Sequence, residues 1–476
     1  MMNSFSEHQR ELTRRHLFGM AGYGIGAAAL MQLDRAATAN ESVSVGLHHP
    51  PRAKRIIHLM MSGAPSQIET FDHKPDLKKF NGTEIPDSIR MGQRVTGMTK
   101  NQKQLVHGSL HGFKRYGKSG VMLSEHLPHT GAIIDDLCLI KSVSTDQINH
   151  APAMTFMLTG HQIPGRPSLG SWLTYGLGSE NSDLPGYIVL ASQVDNAGGQ
   201  PLYDYYWGPG FLPGQHQGVM LRSEKDPVLY LNNPPGINDS MRREMLDRLN
   251  RINQQHHDTF GDPEIKTRIA QYELAYRMQQ SVPDLTDLSG ETQQTYDLYG
   301  EDARVPGTFA ANCLLARRLA ERDVRYIQLF HPGWDHHSDI DAKLKQYCNA
   351  TDQASAALVT DLKQRGLLDD TLVIWGGEFG RSPVIQGKIG ESNAGRDHHP
   401  RCFSIWMAGG GVKPGVFGAT DEFSFNVTEG KVHIHDLQAT ILHLMGIDHE
   451  RLTYRHQGRA FRLTDVHGHV VKEILA

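Results

Sequence analysis

Cysteine is scarce in this chain. There are four, Cys138, Cys313, Cys348 and Cys402, in 476 residues, and no two are spaced C-x-x-C. That spacing excludes a disulfide-built scaffold and a thiolate zinc site. Cys138 and Cys402 fall in apolar strand-like runs and Cys313 on an apolar helical face, so buried thiols are expected. An excess of positive charge is missing as well. Lys and Arg number 48 against 52 Asp and Glu, a net charge of -4, with no long basic stripe. Phosphate backbones are held by such stripes, so nucleic acid is not an expected partner. Beyond the N-terminal segment no apolar run approaches the roughly 20 residues of a membrane span. No membrane association is therefore expected once that segment is removed. Internal repeats and low-complexity tracts are absent too. Apolar residues make up 39% and run along the whole length, which argues against disorder. The length suits about three domains, or one large α/β domain with insertions.

Histidine is what the chain has in quantity. There are 27, with adjacent pairs at His256-His257, His336-His337 and His398-His399. Neutral imidazole is the commonest protein ligand of transition metals and the commonest acid or base near neutral pH, so metal chemistry is worth seeking.

Residues 1–39 read as an address rather than as fold. Arg14-Arg15 precedes a Gly- and Ala-rich segment from Leu17 to about Leu33, and Ala37-Thr38-Ala39 has small residues where an A-x-A cleavage site needs them. The order resembles a twin-arginine (Tat) export signal. The Tat machinery is thus an expected partner and the periplasm, or secretion, an expected location. Residues 40–476 are left as the working domain.

Within that domain, short apolar runs alternate with helical periodicity. Arg55–Met61, Leu137–Val143, Gly186–Ala191, Val324–Phe330, Thr371–Trp375 and Phe403–Met407 read as buried strands. Helices are expected from about residue 150 to a stop at Gly160, over Phe309–Leu319, over about Asp339–Lys363 and from His435. This pattern predicts an α/β fold, a mostly parallel central sheet with helices on both faces. Residues of about 193–300 interrupt it. They begin rich in Gly, Pro, Asn and aromatics, then turn helical with Ile265, Ile269, Tyr272 and Tyr276 on one face after an Asp262-Pro263 start signal. They read as a helical and irregular insertion.

In such sheets ligands gather at the carboxyl ends of the strands. Four strand-end segments carry the candidate chemistry: residues 62–66 (SGAPS), 149–152 (NHAP), 333–339 (GWDHHSD) and 376–382 (GGEFGRS), with 395–399 (GRDHH) in the loop beyond the last. Asp, His and Glu converging there can bind a divalent ion. Mixed nitrogen and oxygen ligands suit zinc or manganese, and carboxylate-rich sets suit calcium or magnesium. Capping and loop hydrogen bonds account for Asp335 and His337 equally well. Arg381, Arg396 and Arg401 lie in the same stretch and can serve an anionic substrate or simply face solvent.

Some of these strings resemble the alkaline phosphatase/sulfatase superfamily. Residues 371–380 (TLVIWGGEFG) look like its "TLVVxTSDHG" strand and loop. Residues 403–415 look like its "PGIKPG" segment, and residues 435–447 (HDLQATILHLMGI) look like its "DLAPTLLDLAGI" helix. Residues 150–160 (HAPAMTFMLTG) have the layout of the sulfatase "CxPSRxxLLTG" helix. Together with GAPSQIETFDHKP, GWDHHS, EFGRSP, GRDHHP and GGGVKPG, the set is similar to the exported bacterial family DUF1501.

The resemblance implies an alkaline phosphatase-like fold and an exported, metal-dependent hydrolase of phosphate- or sulfate-type esters, acting on a small-molecule or glycan ester. Carried over by position, Asp335, His337 (or His336), Glu378, Asp397 and His398 stand as metal ligands. Arg381 and Arg396, cations in the same stretch, are the expected substrate contacts on the ground that such esters are anionic. His150 falls at the nucleophile position, as nucleophile, general base or outer ligand. Several positions depart from the pattern. His150 removes the formylglycine route, which needs Cys or Ser. Phe379 stands where a His or Asn ligand is usual, and Met154 replaces the signature Arg. Ser62-Gly63 replaces the Asp that ends the first strand, leaving Glu69 and Asp72 as the nearest carboxylates. The alternative is a non-catalytic exported protein on the same fold, whose degraded site serves a glycan or cell-envelope partner.

Overall fold

The computed structural model describes residues 45–193, 200–222, 227–228, 232–387 and 393–476. The expected export signal over 1–39 and parts of the irregular stretch after residue 193 lie outside the described residues.

The sheet is built on a strand with no polar face to show to water. In β1 (Arg55–Met61) all seven residues are buried. Side chains alternate across a strand, so Ile57, Leu59 and Met61 enter one hydrophobic cluster and Ile56 and Met60 another. Such a strand needs cover on both sides, and helices supply it. On the first face lie two helices, Phe309–Glu321 and Ile340–Gln364. On the second lie α1 (His150–Thr159), Leu169–Leu177 and Ile434–Leu444. Each fully buried Ile or Leu contributes about 1.5–3 kcal/mol.

The other strands used below are β2 (Leu137–Ser144), β3 (Tyr187–Ala191), β4 (Val219–Leu221), β5 (Tyr326–His331) and β6 (Thr371–Gly376). They are followed by β7 (Gly380–Gln386), β8 (Gly395–His399), β9 (Phe403–Ala408), β10 (Gly415–Phe417) and β11 (Val432–His433). The main sheet runs β10-β2-β9-β6-β1-β5-β3-β4, with β11 also on β2. Strand β9 pairs antiparallel with both neighbours, and the other pairs in this sheet are parallel. This is the expected mostly parallel sheet with helices on both faces. Register puts Met61 beside His331 and Met60 beside Gly376, so the segments after β1, β5 and β6 leave from one edge.

Two features differ from the sequence reading. Residues 395–399, expected as a loop, form strand β8, paired antiparallel with β7 in a separate two-stranded ribbon. The insertion holds a long helix not foreseen, Asp239–Phe260, ahead of the expected one, Pro263–Thr286, which the Asp262 carboxylate caps as its start signal predicts. The four cysteines are free and buried. No helix of the described residues is long and apolar enough to cross a membrane.

The core also buries neutral imidazoles. Burial pushes His58 down to about 4 and His331 down to about 3. His58 Nδ1 meets the Tyr326 hydroxyl at 2.9 Å, while neither ring nitrogen of His331 has a partner. Because the folded pKa of each lies below its unfolded value, their contribution is complete above roughly pH 6.5 and fades as pH falls toward the folded pKa. Each should cost about 2 kcal/mol of stability by pH 5. Urea midpoints at pH 7.5 and 5.0 measure this. The drop should be smaller in His331→Leu, and an equal drop in that variant removes the explanation.

Candidate metal centre

Three chain segments meet at the sheet edge because two glycines let them touch. Gly63 follows β1 at φ 110°, and a Cβ there would lie 2.5 Å from the Asp335 amide nitrogen. Gly395 packs as closely on the His337 backbone. The loop that follows β5 is thereby pressed between the turn after β1 and strand β8, with α1 entering beside it. One ligand atom each from His150, Asp335, His337 and His398 lies within 4.8 Å of all the others.

The outer nitrogens of these imidazoles are all committed. His150 Nδ1 donates to Glu378 Oε1 at 2.5 Å, His337 Nδ1 to Gln386 Oε1 at 2.5 Å, and His398 Nδ1 to the Ile148 carbonyl at 2.7 Å. A carboxylate, an amide oxygen and a carbonyl can only accept, so each ring carries its proton on Nδ1. The inner nitrogens then face one another. His337 Nε2 and His398 Nε2 are 2.8 Å apart, and Asp335 Oδ1 lies 3.1, 2.9 and 3.5 Å from Nε2 of His150, His337 and His398. His150 Nε2 is buried and has no hydrogen-bonding angle to any acceptor.

Lone pairs that converge so closely require a cation among them, either a proton or a metal ion. Burial works against ionisation of Asp335, but the three imidazoles and Arg381 outweigh it and hold its carboxyl far below the usual range. Burial likewise opposes charge on His150, but Asp335 and Glu378 outweigh it and raise its pKa. Burial pushes His398 down to about 4, against the pull of Asp335. The donor set itself fits a metal ion. Three imidazoles and a carboxylate suit zinc or a similar ion, and the spacings of 2.8–3.5 Å that involve Asp335 or join His337 to His398 bracket the roughly 3.3 Å that bonds of about 2.0–2.1 Å and tetrahedral angles give.

Around the cage the expected residues separate into distinct positions. Glu378 stands behind His150 and also accepts from the Gly63 amide at 3.1 Å. It orients a ligand and is not one of the four. Its replacement by Gln should weaken metal binding roughly 10–100-fold, as removal of a carboxylate behind a ligating histidine does. Competition with a chelator of known affinity measures that, and unchanged affinity would remove Glu378 from the centre. Phe379 packs on the rings of His150 and His398, with centroids 4.8 and 4.7 Å away. His336 is buried against Trp334 and Tyr347 with both ring nitrogens unpartnered, so His337 is the member of that pair in the cage.

Besides Glu378 and His150, three expected residues lie outside the roles read for them. Asp397 is not part of the cage; it falls at the irregularity between Arg396 and His398 in the pairing of β8 with β7. Its oxygens take the Thr96 hydroxyl at 2.7 and 2.8 Å, the Thr99 hydroxyl and the His398 amide. Arg381 and Arg396, expected as substrate contacts, have no N–H to spare. Arg381 is fully buried and donates to the Gly63, Ala64 and Arg396 carbonyls, to Asp335 Oδ1 at 2.6 Å and weakly to His337. Arg396 grips Glu69 Oε1 with Nε at 2.8 Å and Nη2 at 2.6 Å and donates to the His107, Gly108 and Pro383 carbonyls. Both arginines brace the loops. Sequence reasoning missed Gln386, Gln200 (2.9 Å from Asp335 Oδ2) and Thr96 with Thr99. None of these sits in a recognisable motif.

A family model described as "Protein of unknown function (DUF1501)" matches residues 53–475. No curated protein matches the chain in sequence. Among solved structures the chain is similar to the alkaline phosphatase of the Antarctic bacterium TAB5 (13% identity, 83% of this chain and 98% of that one, TM-score 0.33). It is also similar to the lipoteichoic acid synthase LtaP of Listeria monocytogenes (10% identity, 90% and 79%, TM-score 0.34). A third is the PsFucS1 sulfatase of Pseudoalteromonas sp. (12% identity, 84% and 69%, TM-score 0.32).

Proposed function

The chain belongs to the DUF1501 family, and we propose that it is an exported, metal-dependent hydrolase of phosphate- or sulfate-type esters. The observation that carries the reading is the set of three imidazoles whose Nδ1 protons are pinned outward while their Nε2 atoms crowd one carboxylate oxygen. His150, Asp335, His337 and His398 would hold the ion. Bound there, a divalent ion supplies Lewis acidity toward an ester oxygen and a water at neutral pH. The chain's own residues do the rest. Glu378 and Gln386 fix ring orientation, Phe379 keeps water from one side of the rings, and Arg381 holds Asp335 in place. Asp335 and Glu378 together offset Arg381 and a proton held by His150, so a divalent ion that displaces that proton leaves the cage positive, which favours an anionic ester. The ester class comes from the motif resemblance, and export from the twin-arginine segment.

The second reading is a non-catalytic exported protein that binds a glycan or cell-envelope partner. What favours it is that Arg381 and Arg396 are spent on structure. Elemental analysis of protein purified from an export-competent host separates the two. The hydrolase reading expects about one transition-metal ion per chain, lost on chelation together with turnover of aryl phosphates or sulfates. Absence of metal after reconstitution, with no turnover of aryl phosphates or sulfates, overturns it in favour of the second.

A further inference from the structure

Two other arginines are placed as Arg381 and Arg396 are not. Arg90 and Arg94 line a cleft of about 20 Å³ together with Gln93, Ser382, Asp397 and His398, so the cleft opens beside a member of the cage. Arg90 Nε is buried and lacks a hydrogen-bond partner. Neither guanidinium has a hydrogen-bond or ion-pair partner among the described residues. The backbone beneath is held still. Asn426 Nδ2 donates to the Ile89 carbonyl at 2.8 Å, and Arg401 donates to those of Arg90 and Met91 at 3.1 and 3.3 Å. The cleft's carboxylate, Asp397, is already occupied by Thr96, Thr99 and the His398 amide, and it makes no ion pair with either arginine.

Two unpaired guanidiniums, that of Arg90 on a backbone held by Asn426 and Arg401, beside a cage that becomes positive with an ion, form a receptor for an oxyanion. Arginine's planar fork of donors suits sulfate and phosphate groups. A cavity this size is little larger than a water molecule, so it admits the terminal oxygens of such a group and leaves a sugar or aromatic ring outside. We infer that Arg90 and Arg94 form an anion subsite, adjoining the His398 side of the cage, for the terminal sulfate or phosphate group of a ligand. That this anion belongs to a substrate rests on the hydrolase reading, whereas its binding does not.

The test is calorimetric titration of the full-length protein, metal-loaded and chelator-treated, with inorganic phosphate and separately with inorganic sulfate. At least one anion is expected to bind with a Kd in the millimolar range or tighter. Arg90→Gln and Arg94→Gln should each weaken it about tenfold, the size of one charge-assisted hydrogen bond. Arg251→Gln, on an exposed helix far along the chain, should leave it unchanged. Metal content should be the same in all variants. Whichever anion binds more tightly names the ester class. Arg94 is exposed, so Arg94→Gln keeps the test valid if Arg90→Gln misfolds. Failure of both anions to bind, or binding unaffected by the arginine substitutions, overturns the subsite. If the protein takes up no metal yet binds an anion through these arginines, the subsite stands and the hydrolase reading falls. If it binds metal and turns over esters without regard to them, the reverse holds.

Discussion

Replacing Asp335 with alanine is expected to leave the protein without its ion and, by the hydrolase reading, without turnover. Three effects add. The cage loses its single carboxylate, to which Nε2 of His150, His337 and His398 are all close. Arg381, fully buried, loses its one anionic partner at 2.6 Å and then presents an uncompensated positive charge to any entering cation. Removing one side of a buried ion pair also destabilises by about 3 kcal/mol, toward the lower end here because three carbonyls still accept from the guanidinium. Metal content below a tenth of the parent's on reconstitution, with a lower melting temperature, is the expected result. Asp335→Asn keeps the shape and separates the two causes. It should lose the ion like the alanine variant but recover much of the stability. Full metal occupancy in the Asn variant would mean that the ion, if any, sits elsewhere.

Arg396→Met should destabilise the fold by about 3–5 kcal/mol, because it strands a carboxylate that has no access to water. Glu69 is fully buried. Burial opposes its ionisation, but Arg396 and His111 with the Ser109 hydroxyl outweigh it and hold its pKa below the usual value. Without Arg396, Glu69 keeps the Ser109 hydroxyl at 2.7 Å and the Leu110 amide at 3.0 Å, which are too few acceptable donors for a charge. Urea denaturation measures the loss. The paired variant Glu69→Gln with Arg396→Met should be more stable than Arg396→Met alone, since it removes the stranded charge. A double variant that is the sum of the two singles would show that the residues do not act as a pair.

What could be read in advance follows from what local sequence encodes. The burial of β1 was legible in its run of apolar residues, and the strand-end positions of Asp335, His337 and Glu378 followed from the strand pattern. The exchange of roles between Glu378 and His150 was not legible. Which of two adjacent groups faces the cage depends on where α1 enters, a matter of tertiary packing. Asp397 and His398 are neighbours in the chain, yet Asp397 sits at an irregularity of β8 and is taken up by Thr96 and Thr99, contacts that no local pattern announces. Arg381 and Arg396 looked like surface cations because nothing local marks a residue as 0% and 2% exposed. Arg90 and Arg94 lie among residues with no periodicity, and their lack of partners is a property of the fold alone.

The tether from His398 to the Ile148 carbonyl joins residues 250 positions apart. A nascent chain therefore cannot assemble this centre until nearly all of it has left the ribosome, since loops that long close late. By the metal-binding reading, loading the ion is then an event of the finished protein, and the metal buffered in whichever compartment it occupies at that moment would decide the element.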